Sequence, residues 1–212
     1  MVDTQKIREA LTSLKEENKK NFEQTVECVF TLKDIDLKKQ PVDFFVTLNH
    51  ERGRKQKICA LVGGELSDEA QKVFDKTILH GEFGKLSQND LKQVAQEYDF
   101  FVAQANIMKD VASTFGRVLG PRGKMPNPKA GCVVPPKAAL QPVYNRLQKT
   151  VRIQAKGPMI QLAVGKEQQK VEDVLDNIQH VYDALVHNLP LHINNIRMVY
   201  MKLTMSPPIK VM

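Results

Sequence analysis

The chain has 212 residues, of which 42% are hydrophobic, and it carries a formal net charge of +7. That is enough apolar material for one large or two small cores, and too much for wholesale disorder. No run of eighteen apolar residues occurs, which argues against a helical membrane span, and the polar residues 1–6 lack the apolar core of a signal peptide. Cys28, Cys59 and Cys132 are odd in number and widely spaced; they suit a reducing cytoplasm rather than a disulfide framework or a zinc site.

Ile7, Leu11 and Leu14 recur at helical spacing in a charged stretch and predict an amphipathic helix over residues 4–19. Val26, Cys28, Phe30 and Leu32 alternate with Thr25, Glu27, Val29 and Thr31, the pattern of a half-buried strand. Residues 44–48 read as a second strand and 50–55 as a polar crossing. From Lys57 the pattern changes. Short apolar strands at 58–62, 77–80 and 100–103 alternate with helices. One helix holds Ala70, Val73 and Phe74, with Ser67 as its expected cap. Another starts at the capping-box-like Ser87-Gln88-Asn89-Asp90 and runs through Glu97. A third carries Ile107, Met108, Val111, Ala112 and Phe115. Strands alternating with helices imply a parallel sheet covered on both faces.

Leu140, Val143, Tyr144 and Leu147 mark a fourth helix of this region. Residues 151–155 and 159–164 then read as two strands joined in a hairpin by Lys156-Gly157-Pro158. Val171, Val174, Leu175, Ile178, Val181, Tyr182, Leu185 and Val186 form the strongest helical stripe in the chain. Residues 196–205 close it with a strand. Neither flank offers enough elements for a core of its own. Together they make two helices on one sheet. The expected fold is therefore α/β: a discontinuous α+β two-layer domain from residues 1–54 and 151–212, with a parallel α/β domain inserted at 55–150. Two chain crossings, near 52–57 and 149–152, would serve as a hinge.

The most unusual stretch is Gly116-Arg117-Val118-Leu119-Gly120-Pro121-Arg122-Gly123-Lys124-Met125-Pro126-Asn127-Pro128-Lys129-Ala130-Gly131-Cys132. Its four glycines and three prolines argue for a loop throughout. It holds four cations and no acid, and no Asp or Glu occurs anywhere between Asp110 and Glu167. A glycine-rich, cationic backbone suits close approach by a partner made of phosphates. Its sequence resembles the signature of the large-subunit ribosomal protein one (L-one) family, that of the mobile stalk beside the tRNA exit site. Asn21-Phe22-Glu23-Gln24-Thr25-Val26-Glu27 and Tyr200-Met201-Lys202-Leu203-Thr204-Met205 resemble further family blocks in the right order. The resemblance covers essentially the whole chain and is strongest to prokaryotic, archaeal-type members.

That resemblance implies an inserted domain of Rossmann-like type and a structural protein of the large subunit. It implies binding to 23S-type rRNA at the stalk, a part in releasing deacylated tRNA from the exit site, and repression of translation through the protein's own mRNA. The implied partners are large-subunit rRNA, exit-site tRNA and that mRNA, with no cofactor, no metal and no membrane. The protein would be a monomer outside the ribosome, with a place in the cytoplasm and on the ribosome.

Ribosomal RNA is bound through phosphates, 2′-hydroxyls and stacked bases. The family places an aromatic matching Phe22 at the RNA surface. Lys20 and Asn21 precede it within reach of phosphates, and Thr25 offers a hydroxyl on the strand face opposite Val26. Thr204, Met205 and Ser206 end the last strand, where a hydroxyl can bond a ribose and a methionine can pack on a base. Ser206 stands where the family pattern has glycine, which would strain a position of positive φ. Arg152, Gln154 and Lys156 alternate along one strand and extend the candidate patch, as does Lys166. In the Gly/Pro stretch the candidates are Arg117, Arg122, Lys124 and Lys129. Residues 1–54 hold ten basic and ten acidic side chains, and residues 151–212 seven and five. Local clustering of Lys19, Lys20, Arg152, Lys156 and Lys166 must therefore supply the field for RNA.

The alternative, a nucleotide-binding enzyme of doubly wound fold, lacks its motifs. Gly63-Gly64 does not continue as G-x-G-x-x-G. Ahead of Gly123-Lys124, Val118 stands where a phosphate loop needs its first glycine, and Met125 where it needs Ser or Thr. His180 and His187 are seven positions apart on one helix, too far to share an ion. No enzyme is expected.

Overall fold

The computed structural model describes residues 4–17 and 20–212, so Lys19 lies outside the described residues. In chain order the elements are α1 (Thr4–Glu17), β1 (Thr25–Leu32), β2 (Asp43–Thr47), β3 (Ile58–Val62), α2 (Ser67–Val73), β4 (Lys76–Leu79), α3 (Gln88–Glu97) and β5 (Phe100–Gln104). They continue with α4 (Met108–Leu119), β6 (Val133–Val134), α5 (Leu140–Lys149), β7 (Thr150–Gln154), β8 (Met159–Lys166), α6 (Val171–Asn188), β9 (Ile196–Leu203) and β10 (Ile209–Lys210). The chain forms two compact units, Met1–Arg54 with Lys149–Met212, and Lys55–Gln148.

In the first unit an antiparallel sheet runs β10-β9-β1-β8. The period-2 pattern of β1 sends Val26, Cys28, Phe30 and Leu32 to one face, where they meet Ile7, Leu11 and Leu14 of α1 and the stripe of α6. Burying one such side chain contributes roughly 1.5–3 kcal/mol, so this layer holds the two flanks of the sequence together. The opposite face of the sheet stays half-buried or exposed, as antiparallel sheets permit.

Among the described residues six strands belong to this unit, but they do not make one sheet. β2 and β7 pair separately and drop Val46, Val151 and Ile153 into the same core. Nor do β7 and β8 form a hairpin. Eight-residue β8 pairs along eight-residue β1, and five-residue β7 matches five-residue β2, so each strand satisfies its ladder with a partner of its own length. Lys156-Gly157-Pro158 carries the chain from one sheet to the other, and Leu32 donates its N–H to the Pro158 carbonyl at 2.8 Å.

The second unit holds a parallel sheet in the order β4-β3-β5-β6, with β3 buried along its whole length. Leu91, Val94 and Ala95 of α3 and Val111, Phe115 and Leu119 of α4 pack with Cys59, Leu61, Phe101 and Ala103. Phe74, at the end of α2, meets Tyr144 of α5 edge to face, with ring centroids 5.9 Å apart.

The Gly/Pro stretch is not loop throughout. Its first four residues, Gly116 to Leu119, complete α4. Burying Phe115 and Leu119, one turn apart, outweighs the roughly 1 kcal/mol that a helical glycine costs relative to alanine. Gly120 closes the helix by donating to the Gly116 carbonyl at 2.9 Å. Ser67 does not cap α2 either: a 3-10 turn over Gly64–Leu66 leads into the helix, and the Ser67 hydroxyl bonds back to the Gly64 carbonyl at 3.0 Å. The two-residue strands β6 and β10 are too short to leave a pattern in the sequence.

Candidate nucleic-acid interface

At one edge of the first unit β1 begins and its antiparallel neighbours β8 and β9 end. Thr25 stands opposite Lys166, and Val26 opposite both Gly165 and Leu203. Segments 20–25, 165–169 and 203–206, far apart in the sequence, therefore meet there. The Thr25 N–H donates to Thr204 Oγ1 at 3.0 Å, which ties β1 to the turn after β9. Phe22 and Met205 leave 52% and 66% of their surface in water, although both have large apolar side chains. Lys20, Asn21 and Thr204 are exposed and Thr25 is half-buried. A flat ring, a thioether, hydroxyls and amines are thus offered on one edge, which is the chemistry that stacked bases, riboses and phosphates take.

The backbone around this edge is held closely. A Cβ at Gly165 would lie 2.7 Å from Gln169 Oε1 and 2.8 Å from a Val174 methyl, so only glycine lets the turn and α6 come this near. Lys166 donates its N–H to Gln169 Oε1 at 2.8 Å, and its amine lies 3.9 Å from Glu23. The Lys15 amine donates to the Gln169 carbonyl at 2.7 Å; partial burial holds it below the usual lysine range, against the pull of Glu167 and Glu172. Ser206 sits without strain where the family glycine would be, because its φ is not positive. Its buried hydroxyl accepts the Leu203 N–H at 2.8 Å and donates to the Pro207 carbonyl at 3.1 Å, closing β9.

Other residues singled out from the sequence lie elsewhere. Lys156 is three residues from Met159, which pairs with Thr31 at the far end of β1. Seven strand steps, roughly 23 Å, separate that end from Lys166. Gln154 and Arg152 belong to the two-stranded sheet. Arg152 grips the Asp43 carboxylate through two nitrogens, at 2.8 and 2.5 Å, and lies over the Phe45 ring. That carboxylate raises the guanidinium above its ordinary range.

The cations of the Gly/Pro stretch divide in the same way. Lys124 donates to the carbonyls of Ala95 and Tyr98, at 3.0 and 2.7 Å, and so caps the C-terminus of α3. Arg122 donates to the Lys92 carbonyl at 3.1 Å, while Arg117 and Lys129 are exposed. Arg146, not among the sequence candidates, donates to the Ala130 carbonyl at 2.8 Å.

Sequence reasoning also missed Lys202, whose amine donates to the Thr204 carbonyl at 3.1 Å and lies 3.8 Å from Glu27. It missed Gln24, buried between Phe22 and Thr25. Lys202 was findable as a cation two places before Thr204. Gln24 was not, because polar residues at a strand start usually face water.

The profile of the Ribosomal protein L1p/L10e family matches residues 14–207. The chain belongs to that family. Relatives named large ribosomal subunit protein uL1 match along their full length. That of Nanoarchaeum equitans is 35% identical, with all of both chains covered. Those of Pyrococcus abyssi and Thermococcus kodakarensis are each 38% identical, covering 99% of this chain and 96% and 98% of theirs. The family is one of ribosomal proteins, not enzymes, and its archaeal members are the relatives described. Among the described residues no cluster of His, Cys, Asp and Glu could hold a metal, and no helix is long and apolar enough to cross a membrane.

Proposed function

We propose that this protein is a structural constituent of the large ribosomal subunit that grips stalk rRNA with the edge where β1 begins and β8 and β9 end. The observation that supports this reading is the exposure of Phe22 and Met205 beside Thr204, on segments joined by the Thr25–Thr204 bond. Phe22 stacks on a base, Thr204 and Thr25 bond sugar or base edges, and Lys20, Asn21 and Lys166 reach phosphates. On the ribosome it takes part in release of deacylated tRNA from the exit site, and off the ribosome the same edge binds its own mRNA.

Affinity for a transcribed stalk fragment of large-subunit rRNA tests the reading. Phe22→Ala should cost ~1–3 kcal/mol, the usual worth of a stacked base, with an unchanged melting temperature, and Thr204→Val about 1 kcal/mol, with a melting temperature slightly lowered by loss of the bond from the Thr25 N–H. Unchanged affinity in both variants removes the assignment. Competition between that fragment and the protein's own mRNA tests repression. Residue-by-residue crosslinking in purified ribosomes tests the tRNA contact.

A further inference from the structure

Gln24 is fully buried, flanked by exposed Glu23 and half-buried Thr25. Its side-chain oxygen accepts the Met205 N–H at 3.2 Å. Its main-chain N–H donates to Glu167 Oε2 at 3.3 Å, and its carbonyl accepts the Glu167 N–H at 2.9 Å. One residue thus joins the segment bearing Phe22, the turn bearing Thr204 and Met205, and the segment bearing Lys166. Two of these segments lie far from Gln24 in the sequence, with Glu167 and Met205 at 143 and 181 positions. A merely structural glutamine would fill space; this one orients the backbone of each segment that carries a candidate RNA group.

The geometry points to Gln24, with Glu167, as the positioning residue of the RNA-binding edge. It touches no RNA itself. Its amide fixes the direction of the Met205 backbone, and its paired main-chain bonds fix Lys166 relative to Phe22. A preorganised edge binds RNA without ordering three segments at the moment of contact, and losing that order weakens binding without removing any contact group. This inference rests on the rRNA-binding reading of the same edge.

The test is a double-mutant cycle on affinity for the transcribed stalk fragment. Gln24→Met keeps length and burial but removes the acceptor. It should weaken binding about fivefold, the worth of one hydrogen bond, and leave the salt dependence of affinity unchanged because no phosphate contact is lost. Lys166→Met, by contrast, should lower the salt slope by about one phosphate's share, ~0.9. Combined with Thr204→Val, Gln24→Met should add little, because both act on one turn. Parental affinity in Gln24→Met, or fully additive losses with Thr204→Val, overturns the inference. If Gln24→Met does not fold, Glu167→Ala should show the same coupling with Thr204→Val, and additivity there overturns it equally. Parental affinity in both Phe22→Ala and Thr204→Val sinks the rRNA-binding reading, and the positioning role with it; loss in those two without loss in Gln24→Met sinks only the positioning role.

Discussion

The edge of the antiparallel sheet and the Gly/Pro stretch of the parallel-sheet unit are both unusual in sequence, yet they spend their side chains differently. The stretch is the more cationic, and two of its cations, Arg122 and Lys124, donate to backbone carbonyls and hold the fold, while Arg146 of α5 donates to the stretch's own Ala130 carbonyl. The sheet edge mixes Lys20 and Lys166 with Glu23 and Glu167, and it leaves an aromatic ring and a thioether in water. If the sheet edge holds rRNA as proposed, cation count is a poor guide to a polyanion site. What distinguishes the sheet edge is apolar and hydroxyl groups left exposed on a backbone that hydrogen bonds hold in place.

The sharpest way to break this contrast is Gly131→Ala. Gly131 has φ +72°, and a Cβ there would lie 1.3 Å from Arg146 Nη2. The arginine can swing away, but it then loses the Ala130 carbonyl. The left-handed backbone adds its own strain, so the variant should lose roughly 2–3 kcal/mol of stability in denaturant unfolding. Cysteine alkylation shows where. Burial pushes the thiols of Cys28 and Cys59 up to about 12 and that of Cys132 up to about 11, so all three resist alkylation while folded. Cys59 and Cys132 should become reactive in the variant, while Cys28 in the other unit stays protected. Equal exposure of all three would show that the two units unfold as one. Affinity for the stalk fragment should be unchanged under folding conditions.

A smaller loss is expected from Lys124→Met. Two carbonyls at the C-terminus of α3 lose a charged donor in a partly buried place, which costs roughly 1–2 kcal/mol. The melting temperature should fall while rRNA affinity stays within twofold. A fall in affinity with no change in melting would mean that Lys124 faces RNA and that the contrast between the two regions is false.

How much of this was legible in the sequence varies with the range of the interaction. The strand β1 follows from its alternation. The capping box of α3 follows from Ser87 and Asp90, which exchange bonds at 3.0 and 3.3 Å. The parallel sheet follows from strands alternating with helices. Pairing between distant strands does not follow, because β7 and β8 look like a hairpin until each finds a partner of matching length. Phe22 and Thr204 could be named from the resemblance, but nothing local says that Thr204 bonds Thr25. Gln24 and Lys124 were opaque for one reason: whether a polar side chain points to water or to a carbonyl depends on segments far away in the chain.

The smallest expected effect concerns Arg152, which strand alternation made a candidate for the RNA patch. Its guanidinium is engaged twice by Asp43 and lies over Phe45, so a phosphate would have to displace a carboxylate already in place. Arg152→Met should therefore change affinity for the stalk fragment less than twofold and leave the salt slope as it is. Stability should fall by no more than about 1 kcal/mol, the ordinary worth of an ion pair near the surface. A salt slope lower by about 0.9 would show that Arg152 leaves Asp43 for a phosphate. The binding surface would then extend from the sheet edge onto the two-stranded sheet, and charge placement would matter more there than the fixed backbone of Gln24 and Thr204.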